Sequence, residues 1–360
     1  MSEIKSGSPE IEILSEKTVF SNPYAIHSYY AWPSIARLKN GTLVCGCSGM
    51  RRKHVDPFGK SLLKFSRDEG ESWSAPVVAI DTLLDDRDTG LAPFGESGLL
   101  VTSFNHTPER LRRYEMDAYD EAYLKFVDAD ERTEELQGSE FVMSFDNGFS
   151  FGPVHRIPVT SPHGPLELPD GTLLYVGTVF PGNGVPKTGS IRAYRIFPDG
   201  SYELTGTIET EDETVLYCEP HAVLLHDKRI IVQIRVQSKE LFTIYQCESS
   251  DMGRSFTKPA PVLGPKDGAP PHLLELSDGC LLSVFARRHG KNGIYAMMSA
   301  DGGRNYSEPV LLAALGSFWD LGYPASVELR DGSILTIYYV REEKNVPAAV
   351  KTVRWKRKTA

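Results

Sequence analysis

Residues 320–339, "DLGYPASVELRDGSILTIYY", hold two apolar runs on either side of an Asp-Gly turn. An Asp-Gly pair between such runs marks a β-hairpin, because glycine accepts the left-handed backbone of the turn. Tyr323 stands at the mouth of the first run, just before Pro324, where no packing pattern asks for it. The same unit recurs as "IARLKNGTLVCG", "LAPFGESGLLVTSF", "LELPDGTLLYVG", "AVLLHDKRIIVQI" and "LLELSDGCLLSVF". Six hairpins at intervals of roughly fifty to seventy residues predict six small sheets around an axis, an all-β, six-bladed β-propeller spanning residues 1–360 as one domain.

A second repeat lies between the hairpins: "SRDEGESW" from Ser66, "SFDNGFSF" from Ser144, "SSDMGRSF" from Ser249 and "SADGGRNY" from Ser299, with a degenerate copy, "YRIFPDGSYEL", from Tyr194. In this Ser-x-Asp-x-Gly-x-x-aromatic pattern the Ser and Asp side chains bond local backbone, glycine takes positive φ, and the aromatic packs under the turn. Together the two series resemble the Asp-box, or BNR, repeats of the sialidase (neuraminidase) superfamily over nearly the whole chain. The resemblance implies a ring closed in one shared blade by the N-terminal "IEILSEKTVF" and the C-terminal "AAVKTVRWKR". Residues 105–140 break the strand pattern, being charged and free of glycine until Gly138, and predict a helical insertion in the second blade. It reads as a solvated decoration, or as a lid or a contact for an oligomer.

Composition narrows the partners. A formal net charge of -9 argues against nucleic acid or an anionic membrane, both of which need a basic footprint. The first residues, "MSEIKSGSPEIEIL", lack the basic and apolar regions of a signal peptide, so a cytoplasmic location is expected. Cys45, Cys47, Cys218, Cys247 and Cys280 are odd in number and scattered along predicted strands, which suits buried thiols better than disulfides or a zinc site. No metal or cofactor is expected.

Polar residues recur just before the apolar strands: Trp32 in "AWPSIARL", Asp86, Arg87 and Asp88 in "DDRDTG", His163 in "SPHGPLEL", Glu219 and His221 in "CEPHAVLL", His272 in "PPHLLEL", and Tyr323. In a propeller these positions converge on one pocket at the channel mouth. The "DDRD" run reads either as an ion-pair knot or as a contact for sugar hydroxyls.

The sialidase resemblance then implies roles. Tyr323 matches the family's nucleophile, although Pro324 and Ala325 replace the usual neighbours, and Glu219 matches the base that takes its proton. Arg235, with Arg287 or Arg288, matches two of the three arginines that hold a substrate carboxylate. Asp56, beside His54, falls near the family's acid/base aspartate. Ala31 and Trp32 replace the first arginine and its neighbour, and Arg51 or Arg52 on the next loop is positioned to compensate. A neutral phenol approaches an anionic sugar that would repel a carboxylate, and guanidinium groups grip a carboxylate in bidentate fashion. The expected activity is an exo-glycosidase acting on a terminal acidic sugar, either sialic acid or a related ulosonic or uronic acid, of an acidic mono- or oligosaccharide. A lyase using Tyr and His on uronates and a non-catalytic glycan-binding propeller are the alternatives.

Overall fold

Each hairpin supplies the two inner strands of an antiparallel sheet in the computed structural model, which describes residues 9–179, 191–210 and 212–358. Blade one runs Tyr29–Arg37, Leu43–Arg51, Lys60–Ser66 and Val77–Ile80, and blade two opens with Asp85–Phe94 and Gly98–His106. The inner strand of blade three is split into Val159–Thr160 and Leu166–Glu167, both paired with Leu173–Val179. Blades four and five open with Leu216–Leu224 and His272–Glu275. Blade six contains Leu321–Glu328, Ile334–Val340 and Ala349–Arg357, and Ile11–Phe20 completes its outer edge. The chain is thus a six-bladed β-propeller, and the expected shared blade closes its ring.

Alternate residues of a strand point to opposite faces, and here both faces meet a neighbouring blade, so the strands are apolar on both sides. Cys45, Cys47 and Leu62 of blade one pack on Val327, Leu335 and Ile337 of blade six. Leu174, Val176 and Ala193 of blade three meet Ile230, Val232 and Ile234 of blade four in the same way.

The four Ser-x-Asp turns close alike. Ser66 Oγ donates to Asp68 Oδ1 at 2.8 Å and accepts from the Gly70 amide at 2.9 Å, while Asp68 accepts from the Ser72 amide at 2.9 Å. The same bonds recur at Ser144, Ser249 and Ser299. The closing aromatics Trp73, Phe151, Phe256 and Tyr306 pack against the clusters between blades, tying each turn to the core.

The insertion of blade two is helical, at Pro108–Leu111, Ala118–Asp128 and Thr133–Leu136. Asp117 and Asp120 form a capping box on the middle helix. The helices grip the 51–59 loop of blade one: Arg52 pairs with Asp117 at 2.9 Å and with Asp120, and Lys53 Nζ reaches Asp120 at 2.7 Å and the Glu115 carbonyl at 2.6 Å. Val55 packs with Leu111 and Leu124 in a small core of its own. The insertion is therefore a clamp on that loop.

Candidate active site

Four inner strands lose register at the channel mouth, between Ala31 and Ser34, Arg87 and Gly90, Cys218 and His221, and Gly322 and Ala325. Each break holds one non-glycine residue in the left-handed region: Trp32 (φ 53), Asp88 (φ 51), Glu219 (φ 50) and Tyr323 (φ 52). Such a residue costs about 1–2 kcal/mol, and the bulge re-aims its side chain out of strand alternation. Tyr323 therefore has no place in the packing pattern because the backbone turns it out of that pattern.

The bulges of blades four and six meet across the channel. Tyr323 Oη donates to Glu219 Oε1 at 2.5 Å, and Arg235 Nη1 donates to Glu219 Oε2 at 2.6 Å and lies 3.5 Å from Tyr323 Oη. Arg235 also donates to Gln237. Burial and the neighbouring Glu219 carboxylate push the Tyr323 phenol well above its ordinary value, against the pull of Arg235. The phenol is therefore neutral at rest, and Glu219 is in place to take its proton.

Of the two consecutive arginines in blade five, Arg288 faces this group. Its guanidinium carbon lies 5.7 Å from the centre of the Tyr323 ring, and its Nε donates to the Leu321 carbonyl at 3.0 Å. Arg287 is turned away to Asp267, at 3.3 Å, and to the face of Tyr295. Gly322 makes room for Arg288: at φ 119, a Cβ there would meet Ala286 Cβ at 2.7 Å and Arg288 Nη2 at 3.3 Å.

Asp88, in the bulge of blade two, is read from the sequence only as part of the "DDRD" run, an ion-pair knot or a contact for sugar hydroxyls, and not as an acid or base. Burial, opposed by Arg87 and reinforced by Glu219, pushes its carboxyl up to about 7. A carboxyl poised there can give and take a proton near neutrality. The signal that finds it is positional, since Asp88 has the same bulge backbone as Trp32, Glu219 and Tyr323.

Several expected site residues lie elsewhere, for physical reasons. Asp56 is fully buried, accepting from the Arg52 and Phe58 amides and from Arg52 Nε, so it shapes a turn. Arg52 is spent on Asp56, Asp117 and Asp120. Arg51 is fully buried, with Asp85, Ser48 Oγ and the His54 carbonyl as partners, and so does not compensate for the missing arginine. Asp86 is buried on the far side of its strand, bound to the Thr82 amide at 2.8 Å and hydroxyl at 2.6 Å. Arg87 donates to Asp85 at 3.2 Å and lies over the Trp32 ring at 4.0 Å. The "DDRD" run is thus an ion-pair knot, with Asp88 its one carboxylate at a channel bulge.

His163, His221 and His272 meet on the axis, at ring separations of 4.3–5.5 Å. His221 Nδ1 accepts from the Leu273 amide at 2.9 Å, and burial holds all three rings neutral, His221 down at about 3. They form an uncharged hub where blades three, four and five converge. Among the described residues no group of His, Cys, Asp and Glu is arranged to hold a metal ion.

A second polar cluster was not foreseen. Asp320, fully buried, accepts from Tyr29 Oη at 2.8 Å and Tyr339 Oη at 2.9 Å, and lies 3.0 Å from His54 Nδ1. The Tyr339 ring lies 6.0 Å from that of Tyr323, joining the two clusters.

Residues 119–337 match the family described as BNR repeat-like domain. No curated protein is similar enough to be matched. Similar solved structures include a protein of unknown function from Dyadobacter fermentans, 18% identical with a TM-score of 0.78 over 97% of this chain and 99% of that one. The NanB sialidase from Streptococcus pneumoniae is 12% identical, with a TM-score of 0.70 over 94% of this chain and 70% of that one. An alpha-L-arabinanase from Penicillium chrysogenum, complexed with arabinobiose, is 14% identical with a TM-score of 0.61 over 95% and 98%. At such identities the likeness is one of fold.

Proposed function

Because the chain belongs to the BNR repeat-like domain family, we propose that its channel mouth is the active site of a sialidase-like exo-glycosidase that releases a terminal acidic sugar through Tyr323. The observation that carries this reading is the Tyr323–Glu219–Arg235 contact, with its 2.5 Å phenol-to-carboxylate bond. A structural tyrosine needs no carboxylate aimed at its oxygen and no strained backbone to present it.

Tyr323 Oη attacks the anomeric carbon as its proton passes to Glu219, and Asp88 protonates the departing oxygen. Water then attacks the tyrosyl-linked sugar, giving its proton to Asp88 while the phenol recovers its own from Glu219. Two displacements retain the anomeric configuration. Arg235 Nε and Arg288 Nη2 are buried donors without a partner among the described residues, and a substrate carboxylate would satisfy them. Trp32 stands where sialidases have their first arginine, which favours a related ulosonic or uronic acid alongside sialic acid.

A two-carboxylate reading, with Glu219 as nucleophile and Asp88 as acid, is favoured by the charge of Glu219, which helps to raise the Asp88 carboxyl. The test is hydrolysis of 4-methylumbelliferyl glycosides of sialic acid, uronic acids and neutral sugars by the parent, Tyr323→Phe and Glu219→Gln. Release of one acidic sugar, reduced at least ~100-fold in both variants, is expected. Activity kept by Tyr323→Phe and lost by Glu219→Gln would move the nucleophile to Glu219, and no release by the parent would remove the enzyme reading.

A further inference from the structure

Three residues before Tyr323, Asp320 lies at the centre of a network that links blade six to the 51–59 loop. It accepts from Tyr29 and Tyr339, and Arg341 stands 3.7 Å away. Burial works against its charge, but hydrogen bonds from His54, Tyr29 and Tyr339 hold Asp320 below the ordinary carboxylate range. A carboxylate offers only lone pairs, so the proton between Asp320 and His54 belongs to His54 Nδ1. Burial holds the imidazole neutral in spite of Asp320. His54 Nε2 is therefore an acceptor.

That acceptor has a frame. The His54 side chain is 30% exposed, and with Nδ1 turned inward the exposed edge is the one carrying Nε2, which no described residue bonds. The Trp32 ring lies 4.9 Å away on one side, and the Trp319 ring lies 5.2 Å away on another. Trp319 is 52% exposed, a bare indole four residues from Tyr323. The nearby charges are already engaged: Arg51 and Arg87 are paired with Asp85. What remains open is an apolar ring beside one oriented lone pair.

We propose that Trp319 and His54 form the binding site for the leaving group, and that this group is a neutral pyranose which lays its C–H face on the Trp319 indole and donates a hydroxyl to His54 Nε2. The assignment of this sugar to the leaving side rests on the glycosidase reading above; the binding site itself does not. A flat aromatic wall with a few oriented polar groups is the common construction of small-ligand sites. Asp320 is a positioning residue here, since it sets which imidazole nitrogen carries the proton.

The test is binding of lactose and cellobiose to the full chain, read by tryptophan fluorescence and by saturation-transfer NMR. The parent is expected to bind at least one of them, with quenching of Trp319 and saturation strongest on one C–H face of the sugar. Trp319→Ala and His54→Phe are each expected to weaken binding at least tenfold, while Tyr323→Phe retains it. In Asp320→Asn, the ¹⁵N shifts of His54 should lose the Nδ1–H pattern, which a purely structural role for Asp320 would leave in place. No binding of either sugar by the parent, or unchanged affinity in either the Trp319 or the His54 variant, would overturn the proposal. Binding that follows the expected pattern in a protein inactive on every glycoside would uphold the site and remove only its place in a hydrolysis.

Discussion

Replacing Asp88 with Asn should make the protein more stable at high pH while disabling it. Asp88 is 7% exposed in a left-handed bulge, and its carboxyl rises from an ordinary 3.8 to about 7 because of burial, with Arg87 opposing and Glu219 assisting. A folded pKa above the unfolded one means that the folded state binds the proton more tightly. Its contribution to stability is then whole below about pH 4 and is lost as the pH rises through 7. At about 1.4 kcal/mol per unit, roughly 2–3 kcal/mol of that loss falls between pH 5 and pH 8.5. Asn does not titrate and tolerates a left-handed backbone, so any conformational gain is a constant offset at all pH values. Urea unfolding of parent and variant at both pH values should show the variant gaining about 2–3 kcal/mol on the parent between them. Parallel pH curves would refute the assignment of a raised carboxyl to Asp88. Glycosidase activity on an oligosaccharide should fall at least ~100-fold in the same variant, the usual exchange of stability for function.

Two further substitutions probe how the site is held. Gly322→Ala places a Cβ 2.7 Å from Ala286 Cβ at φ 119, and should cost about 2 kcal/mol or more in chemical denaturation and reduce turnover by displacing Arg288 and Tyr323. Asp120→Ala removes the buried partner of Arg52 and Lys53 together with half of a capping box, a loss of about 2–4 kcal/mol that should stay local. Hydrogen exchange should therefore quicken in residues 51–59 and 118–128 and remain unchanged in blades three to five.

The hairpins and Ser-x-Asp turns are legible in the sequence because their causes are local: glycine at positive φ, a short side chain bonding its own turn, and apolar runs of fixed length. Tyr323 and Glu219 are legible through their matching places at the strand mouths of blades six and four, and Arg235 through the sialidase resemblance, and the structure brings the three into contact. What resists reading is orientation where alternation fails. Arg288 lies one residue beyond the strand Leu281–Arg287, so period-two logic does not say which arginine faces inward. Asp86 and Asp88 would share a face in a regular strand, but the bulge between Arg87 and Gly90 sends only Asp88 to the channel. Asp56 and Arg51 suggest chemistry by type and position, yet their partners lie in turns and in the neighbouring blade. Asp320 has no local signature at all, for Tyr29 is 291 residues away in the chain.

The seam in blade six bears on the order in which the molecule comes into being. Ile11–Phe20 leaves the ribosome before the other described strands of the ring, and its partner, Ala349–Arg357, leaves after them. Until then the early strand presents an unpaired edge to every other nascent chain, and a contact this remote in sequence is slow to form. Tyr323 and Asp320 belong to that same last blade, whereas Glu219, Trp32 and His54 wait in blades made before it. A chain that lacks blade six therefore lacks part of the candidate site, and the pocket is completed in the same event that locks the ring.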